Sequence, residues 1–290
     1  MSTTLGRSLG WYRTPIVVVA MLSSLLLIVP FLVLVATSWT SGSFILFPPD
    51  GFSLDWYAEV LADPEWTESF RLSLWTAALS TVIAAALGTL AALGLTRVRN
   101  RTAQRWIRTL FIVPIALPPI AYAVGLHGVT MDLPFLRGTL ATLVVGHALI
   151  ALPYVFVIVS GGIARIDPAL RPAASTLGAR WPLILWKIEL PAILPYLLSG
   201  ALFAFVVIFD EVVLAVFLMP PGQQTLPLQM LNASQEAFSP ELTAASTLVS
   251  GLALLVLAIV PVSKAVRRGA GRAVPARRAE GPAAPEGVTP

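Results

Sequence analysis

Six stretches of this chain are apolar for about twenty residues each, the length an α-helix needs to cross roughly 30 Å of hydrocarbon. They fall at 16–36, 70–95, 107–126, 139–161, 192–218 and 243–263. Over the whole chain, 57% of the 290 residues are hydrophobic and 12% are charged, against about 25% charged in a soluble domain. The expectation is therefore an all-α membrane protein with six transmembrane helices. Arg7 and Arg13 precede the first stretch, as in a signal peptide. That stretch exceeds a usual signal core and lacks a good Ala-x-Ala site, so it reads as an uncleaved helix.

Charge gives the orientation. Basic residues crowd the N-terminus, the segment after the second stretch (Arg97, Arg99, Arg101, Arg105, Arg108), the segment after the fourth (Arg165, Arg171, Arg180, Lys187) and the tail. The other three connections hold only Arg137, with Arg71 just inside the second span. Lys and Arg collect in cytoplasmic loops, so this asymmetry predicts both termini inside. The same distribution assigns the +4 net charge to bilayer orientation rather than to nucleic acid. There is no cysteine, and His127 and His147 are the only histidines, so no thiol chemistry or metal cluster is expected.

The first outer loop, 37–69, carries Asp50, Asp55, Glu59, Asp63, Glu65 and Glu68 with no Lys or Arg. It either attracts a cationic solute or merely lacks base. Within it, "SLDWYAEVL" reads as a short amphipathic helix capped by Ser53, with Trp56, Tyr57, Val60 and Leu61 on the face toward the membrane interface. The second span bears Ser80, Ala84, Gly88 and Ala92 at four-residue spacing, a row that lets another helix approach closely. Pro114, Pro118 and Pro119 must kink or interrupt the third. Residues 268–290, rich in Gly, Ala, Pro, Arg and Glu, read as a disordered cytoplasmic tail.

"ALFAFVVIFDEVVLAVFL", 201–218, places Asp210 and Glu211 side by side in an apolar span. On an unbroken helix starting near Ala192, Asp210 lies about 27 Å along, in the outer half. Adjacent residues diverge by about 100°, so at most one carboxylate points at a central path. Either the pair lines a route for a cation, with Phe209 beside it, or it binds backbone amides freed at a helix break and braces the bundle. His147 is a candidate partner, or simply a packed histidine.

The longest inner segment, 162–191, is too short for a domain. Asp167-Pro168 starts a helix over 169–177 and Gly178 ends it; 179–190 is amphipathic, with Trp181, Ile184, Leu185 and Ile188 on one face. A short helix presented between two spans suits docking to a soluble partner. Ala173, Ala174, Gly178, Ile188, Leu190 and Pro191 stand at the spacings Ala-Ala, three residues, Gly, nine residues, Ile, one residue, Leu-Pro. This resembles the coupling loop of the permease subunits of ATP-binding cassette (ABC) importers, with Pro172 where that family has Glu. "FDEVVLAVFLMPPGQQTLPLQM" and "SPELTAASTLVSG" are similar to the spermidine/putrescine branch, which also serves opines and phosphonates.

The resemblance implies a type I importer permease in the bacterial inner membrane. Its domains are a cytoplasmic N-terminus at 1–15 and a permease domain at 16–267, with a core at 70–263. Its partners are an ABC ATPase dimer that carries ATP and magnesium, a second homologous permease, an external solute-binding protein and the bilayer. The chain itself holds no cofactor and no phosphate-binding loop; its only lysines are Lys187 and Lys264. The best-fitting solute is a polyamine, with opine or phosphonate as alternatives. A proton-coupled secondary transporter using Asp210 and Glu211 is the reading from another class.

Overall fold

The computed structural model describes residues 12–49, 51–236 and 239–271. The chain divides into two units, 1–246 and 247–290. Among the described residues the first unit is built from helices α1 (Arg13–Thr37), α2 (Asp55–Ala62), α3 (Pro64–Leu95), α4 (Arg101–Ala116), α5 (Pro119–Met131) and α6 (Leu140–Ile163). There follow α7 (Leu170–Thr176), α8 (Trp181–Ile184) with a π-helical turn at Leu185–Glu189, α9 (Leu190–Phe209), α10 (Val213–Leu218) and α11 (Leu226–Glu236). Helix α12 (Pro240–Gly271) starts in the first unit, and from Thr247 its residues belong to the second.

Helices α3, α6 and α9 form the centre. The small-residue row works as its spacing predicts: Ser80, Ala84, Gly88 and Ala92 are all buried. The Ser80 hydroxyl donates to the Val144 carbonyl of α6 at 3.0 Å. A Cβ on Gly88 would stand 3.1 Å from both the Leu152 carbonyl oxygen and the Phe156 amide nitrogen, so the two backbones touch. Ala84, Ala92, Val155, Phe156, Val159, Ile193, Ala204 and Ile208 fill this core. A second, smaller core joins Ala123 of α5 and Leu143 of α6 to Leu214, Ala215 and Leu218 of α10. It lies where two spans break.

Both breaks follow from sequence. Prolines 118 and 119 cannot donate to the preceding turn, so α4 and α5 meet at 103°. The expected single helix over 192–218 is corrected: α9 ends at Phe209 and a new helix starts at Val213. Backwards, α9 is continuous through the π turn to Trp181, so the apolar segment runs Trp181–Phe209. Among the described residues four helices are long and apolar enough to cross a membrane, or five if the bent α4–α5 pair is one span. In α12 the apolar stretch with described side chains is Pro240–Leu255.

Helix α2 meets protein along part of its apolar face. Tyr57 is hydrogen-bonded to Ser38, and Val60 is buried, so this face packs on protein while Leu61 is exposed. Ser53 accepts from the Asp55 amide at 2.9 Å, one residue ahead of the helix cap. The tail expected over 268–290 is helical through Gly271; 272–290, like 1–11, Asp50 and 237–238, lie outside the described residues.

Candidate translocation and coupling sites

The break at 210–212 separates the two acidic residues. Glu211 turns inward: Oε1 accepts from the Val213 amide at 2.9 Å and Oε2 from the Leu214 amide at 2.7 Å. These are first-turn donors of α10, which have no carbonyl partner within the helix. The carboxylate therefore caps a helix that starts inside the bundle, where an unmet amide is costly. His147 of α6 is buried, with Nε2 3.5 Å from Glu211 Oε2. Among the described residues neither ring nitrogen makes a hydrogen bond.

Asp210 is exposed, and among the described residues its carboxylate makes no hydrogen bond or ion pair. Its amide closes α9 on the Val206 carbonyl at 3.2 Å. Phe209 stacks on Phe205 with ring centres 5.8 Å apart and meets Phe70 of α3 edge-on at 6.3 Å. The adjacent carboxylates thus have opposite environments because the chain leaves the helix between Phe209 and Val213.

At the other end of α9 lies the segment read from sequence as a coupling loop. Asp167 Oδ1 accepts from the Ala169 amide at 2.9 Å and starts the turn into α7. Gly178 ends that helix at φ +82°, with the Gly178 amide on the Ser175 carbonyl and the Ala179 amide on the Ala174 carbonyl, both at 3.0 Å. This is a left-handed helix stop that glycine supplies without strain. No residue of α7 is buried; Ala173 is exposed and Ala174 half-buried. Ile188 and Leu190 are half-buried, Pro191 is exposed, and Ile184, the last residue of α8, is buried. Trp181 lies 4.2 Å beneath the Arg97 guanidinium, which joins α8 to the end of α3.

One contact here escaped the sequence reading. Arg171 Nε donates to Glu189 Oε1 at 2.7 Å, and its Nη2 bonds the same oxygen. Glu189 is the only acidic residue between Asp167 and Asp210, which is the signal that could have marked it.

On the acidic side of the molecule, a cavity of about 430 Å³ is lined by Glu65, Glu68, Gln223, Gln224 and Gln229. Gln229 Nε2 donates to Glu65 Oε2 at 3.3 Å, and the Leu226 amide donates to the Ser73 hydroxyl at 2.7 Å. Glu241 stands beside it in the first turn of α12. Burial raises its carboxyl above the ordinary 4.5; a hydrogen bond from Trp66 opposes this, and Glu59, Asp63 and Glu65 add to it.

Comparisons with known proteins bear on the family and the fold. Residues 84–267 match the family described as "Binding-protein-dependent transport system inner membrane component". The chain is 31% identical over 241 residues to the putrescine transport system permease protein PotI of Escherichia coli strain K12, covering 81% of this chain and 85% of that one. It is 31% identical over 242 residues to the spermidine/putrescine transport system permease protein PotC of Haemophilus influenzae, covering 83% and 92%. In fold it is similar to a chain of a bacterial ABC transporter involved in the import of the acidic polysaccharide alginate, at TM-score 0.73 and 15% identity, covering 91% and 98%. The chain belongs to the binding-protein-dependent transport system inner membrane component family, the non-enzymatic permease subunits of ABC importers, whose ATP is hydrolysed by separate subunits.

Proposed function

We propose that this permease moves a polyamine, putrescine or spermidine, inward. The carrying observation is the exposed Asp210 carboxylate, without a partner among the described residues, at a helix break in a chain 31% identical to permeases named for these two solutes. An unneutralised carboxylate beside a low-dielectric wall attracts an alkylammonium and repels an anion. The acidic cavity at Glu65 and Glu68 would raise the local concentration of such a cation before it enters.

In this reading Asp210 and Phe209 line or gate the path, while Glu211 is the brace. Six spans with both termini inside place the acidic cavity outside and α7 in the cytoplasm. A solute-binding protein delivers cargo at the outer face, and a second homologous permease completes the path. Two ATPases, carrying ATP and magnesium, grip the segment with Ala173, Ala174, Gly178, Ile188, Leu190 and Pro191. ATP binding draws the ATPases together and moves α7. Because α9 follows α8 without interruption, that movement reaches the break at 210–212.

The test is uptake of labelled putrescine and spermidine by proteoliposomes holding the assembled transporter and its binding protein. Vanadate-sensitive, ATP-dependent uptake of either amine supports the reading. Uptake of an aminophosphonate or opine in their place overturns the solute. Uptake driven by a proton gradient and indifferent to vanadate overturns the mechanism.

A further inference from the structure

Helix α7 is joined to the bundle by little apolar contact. Beneath it is a cavity of about 420 Å³, lined by Leu93, Ile163, Arg171, Ile184, Ile188 and Glu189 among others. Across this void the Arg171 guanidinium of α7 reaches Glu189, the residue immediately before α9. Glu189 is 5% exposed, and only one of its oxygens is engaged; Oε2 has no partner among the described residues. The pair is only half-buried, since the Arg171 side chain is 42% exposed, and an ion pair open to water on one side contributes little stability. A pair kept across a void does something packing cannot. It fixes direction and distance between two helices while leaving room for them to move together. Pro172, adjacent, carries no carboxylate for a partner subunit, so in α7 the charge nearest that position is turned inward.

We propose that Arg171 and Glu189 are positioning residues that lock α7 to α9, so that displacement of the cytoplasmic helix is delivered to the break beside Asp210. About 30 Å of helix separates the two ends of α9, at 1.5 Å per residue. A rigid rod of that length transmits a push only if its end is held by the element that is pushed. The inference rests on the permease reading above.

The test uses the assembled transporter with its ATPases, second permease and binding protein in proteoliposomes. Three versions are compared with wild type: Arg171→Ala, Glu189→Gln, and the exchange Arg171→Glu with Glu189→Arg. Two quantities are read. One is ATP hydrolysed per putrescine imported. The other is the mobility of a nitroxide on Ser175→Cys, the sole attachment point in a chain without cysteine. Each single variant should retain its ATPases yet raise the ATP cost per solute by about fivefold, the size expected for loss of one coupling element. The nitroxide on α7 should become more mobile, and the exchange should restore both values. Unchanged stoichiometry and mobility in the single variants overturns the proposal. So does loss of ATPase association that the exchange fails to rescue, which would make the pair part of the docking surface. If wild type imports neither polyamine, the solute assignment falls, and the nitroxide contrast alone still decides the lock.

Discussion

Replacing Glu211 separates bracing from gating. In Glu211→Ala two first-turn amides of α10, Val213 and Leu214, lose the only acceptors that the described residues give them. Each unmet buried donor costs about 1–3 kcal/mol, so the loss is roughly 2–6 kcal/mol. Glu211→Gln keeps one carbonyl oxygen and can hold one amide, so its cost is about half, roughly 1–3 kcal/mol. Asp210→Asn and Asp210→Ala break no internal hydrogen bond and should change stability by no more than about 0.5 kcal/mol. The assay is thermal unfolding of the detergent-solubilised complex together with the amount of assembled transporter in membranes. At about 2–4 °C per kcal/mol, Glu211→Ala should melt roughly 6–12 °C below wild type for a loss near 3 kcal/mol. Glu211→Gln should fall between, and Asp210→Asn should coincide with wild type while its polyamine uptake drops. A Glu211→Ala protein that melts with wild type but does not transport would refute the bracing role. An Asp210→Asn protein that fails to assemble would refute the split between the two carboxylates.

Gly88→Leu should prevent α3 and α6 from closing, because even a Cβ there meets backbone at 3.1 Å; membrane yield should collapse while Leu87→Ala, on an exposed face, is tolerated. Gly178→Val forces a β-branched residue to φ +82° and should loosen the end of α7 at a cost of about 1–2 kcal/mol, read as faster hydrogen exchange over 170–180. Glu241 has a raised carboxyl, so its contribution to stability is whole below about pH 4.5 and is lost as pH rises through the shifted value. Glu241→Gln should therefore melt with wild type at pH 4 and above it at pH 7, with the Trp66 hydrogen bond kept.

The long apolar helices and the α3–α6 contact were legible, the first from apolar runs of about twenty residues and the second from four small residues at four-residue spacing. Gly178 was legible as a helix stop, since only its residue type suits that backbone. The end of α9 at Phe209 was not. Val212 and Val213 continue the apolar pattern, no proline or glycine marks the site, and the cause is a side chain that satisfies backbone ahead of it. Arg171 and Glu189 escaped for a related reason. They stand eighteen residues apart across two turns, and no periodicity relates them. The division of the α2 face was not legible either, because an amphipathic pattern records that one side is apolar, not that Tyr57 and Val60 meet protein while Leu61 stays exposed.

The same arithmetic explains why two neighbouring carboxylates persist in so apolar a stretch. An acidic residue at mid-span costs about 2.5–3.5 kcal/mol on insertion scales. Glu211 meets two amides, and hydrogen bonds to a charged group contribute about 1.5–3 kcal/mol each, so its own contacts offset its cost. Asp210 has no such offset among the described residues. Its position is tolerable only where water, a cationic solute or a second subunit meets the carboxylate, as the proposed translocation path would provide. The chemistry that makes Glu211 a brace is thus the reason Asp210 is the better candidate for contact with cargo. The order of the two residues follows, since the residue that caps α10 from two positions before its first turn cannot also face outward.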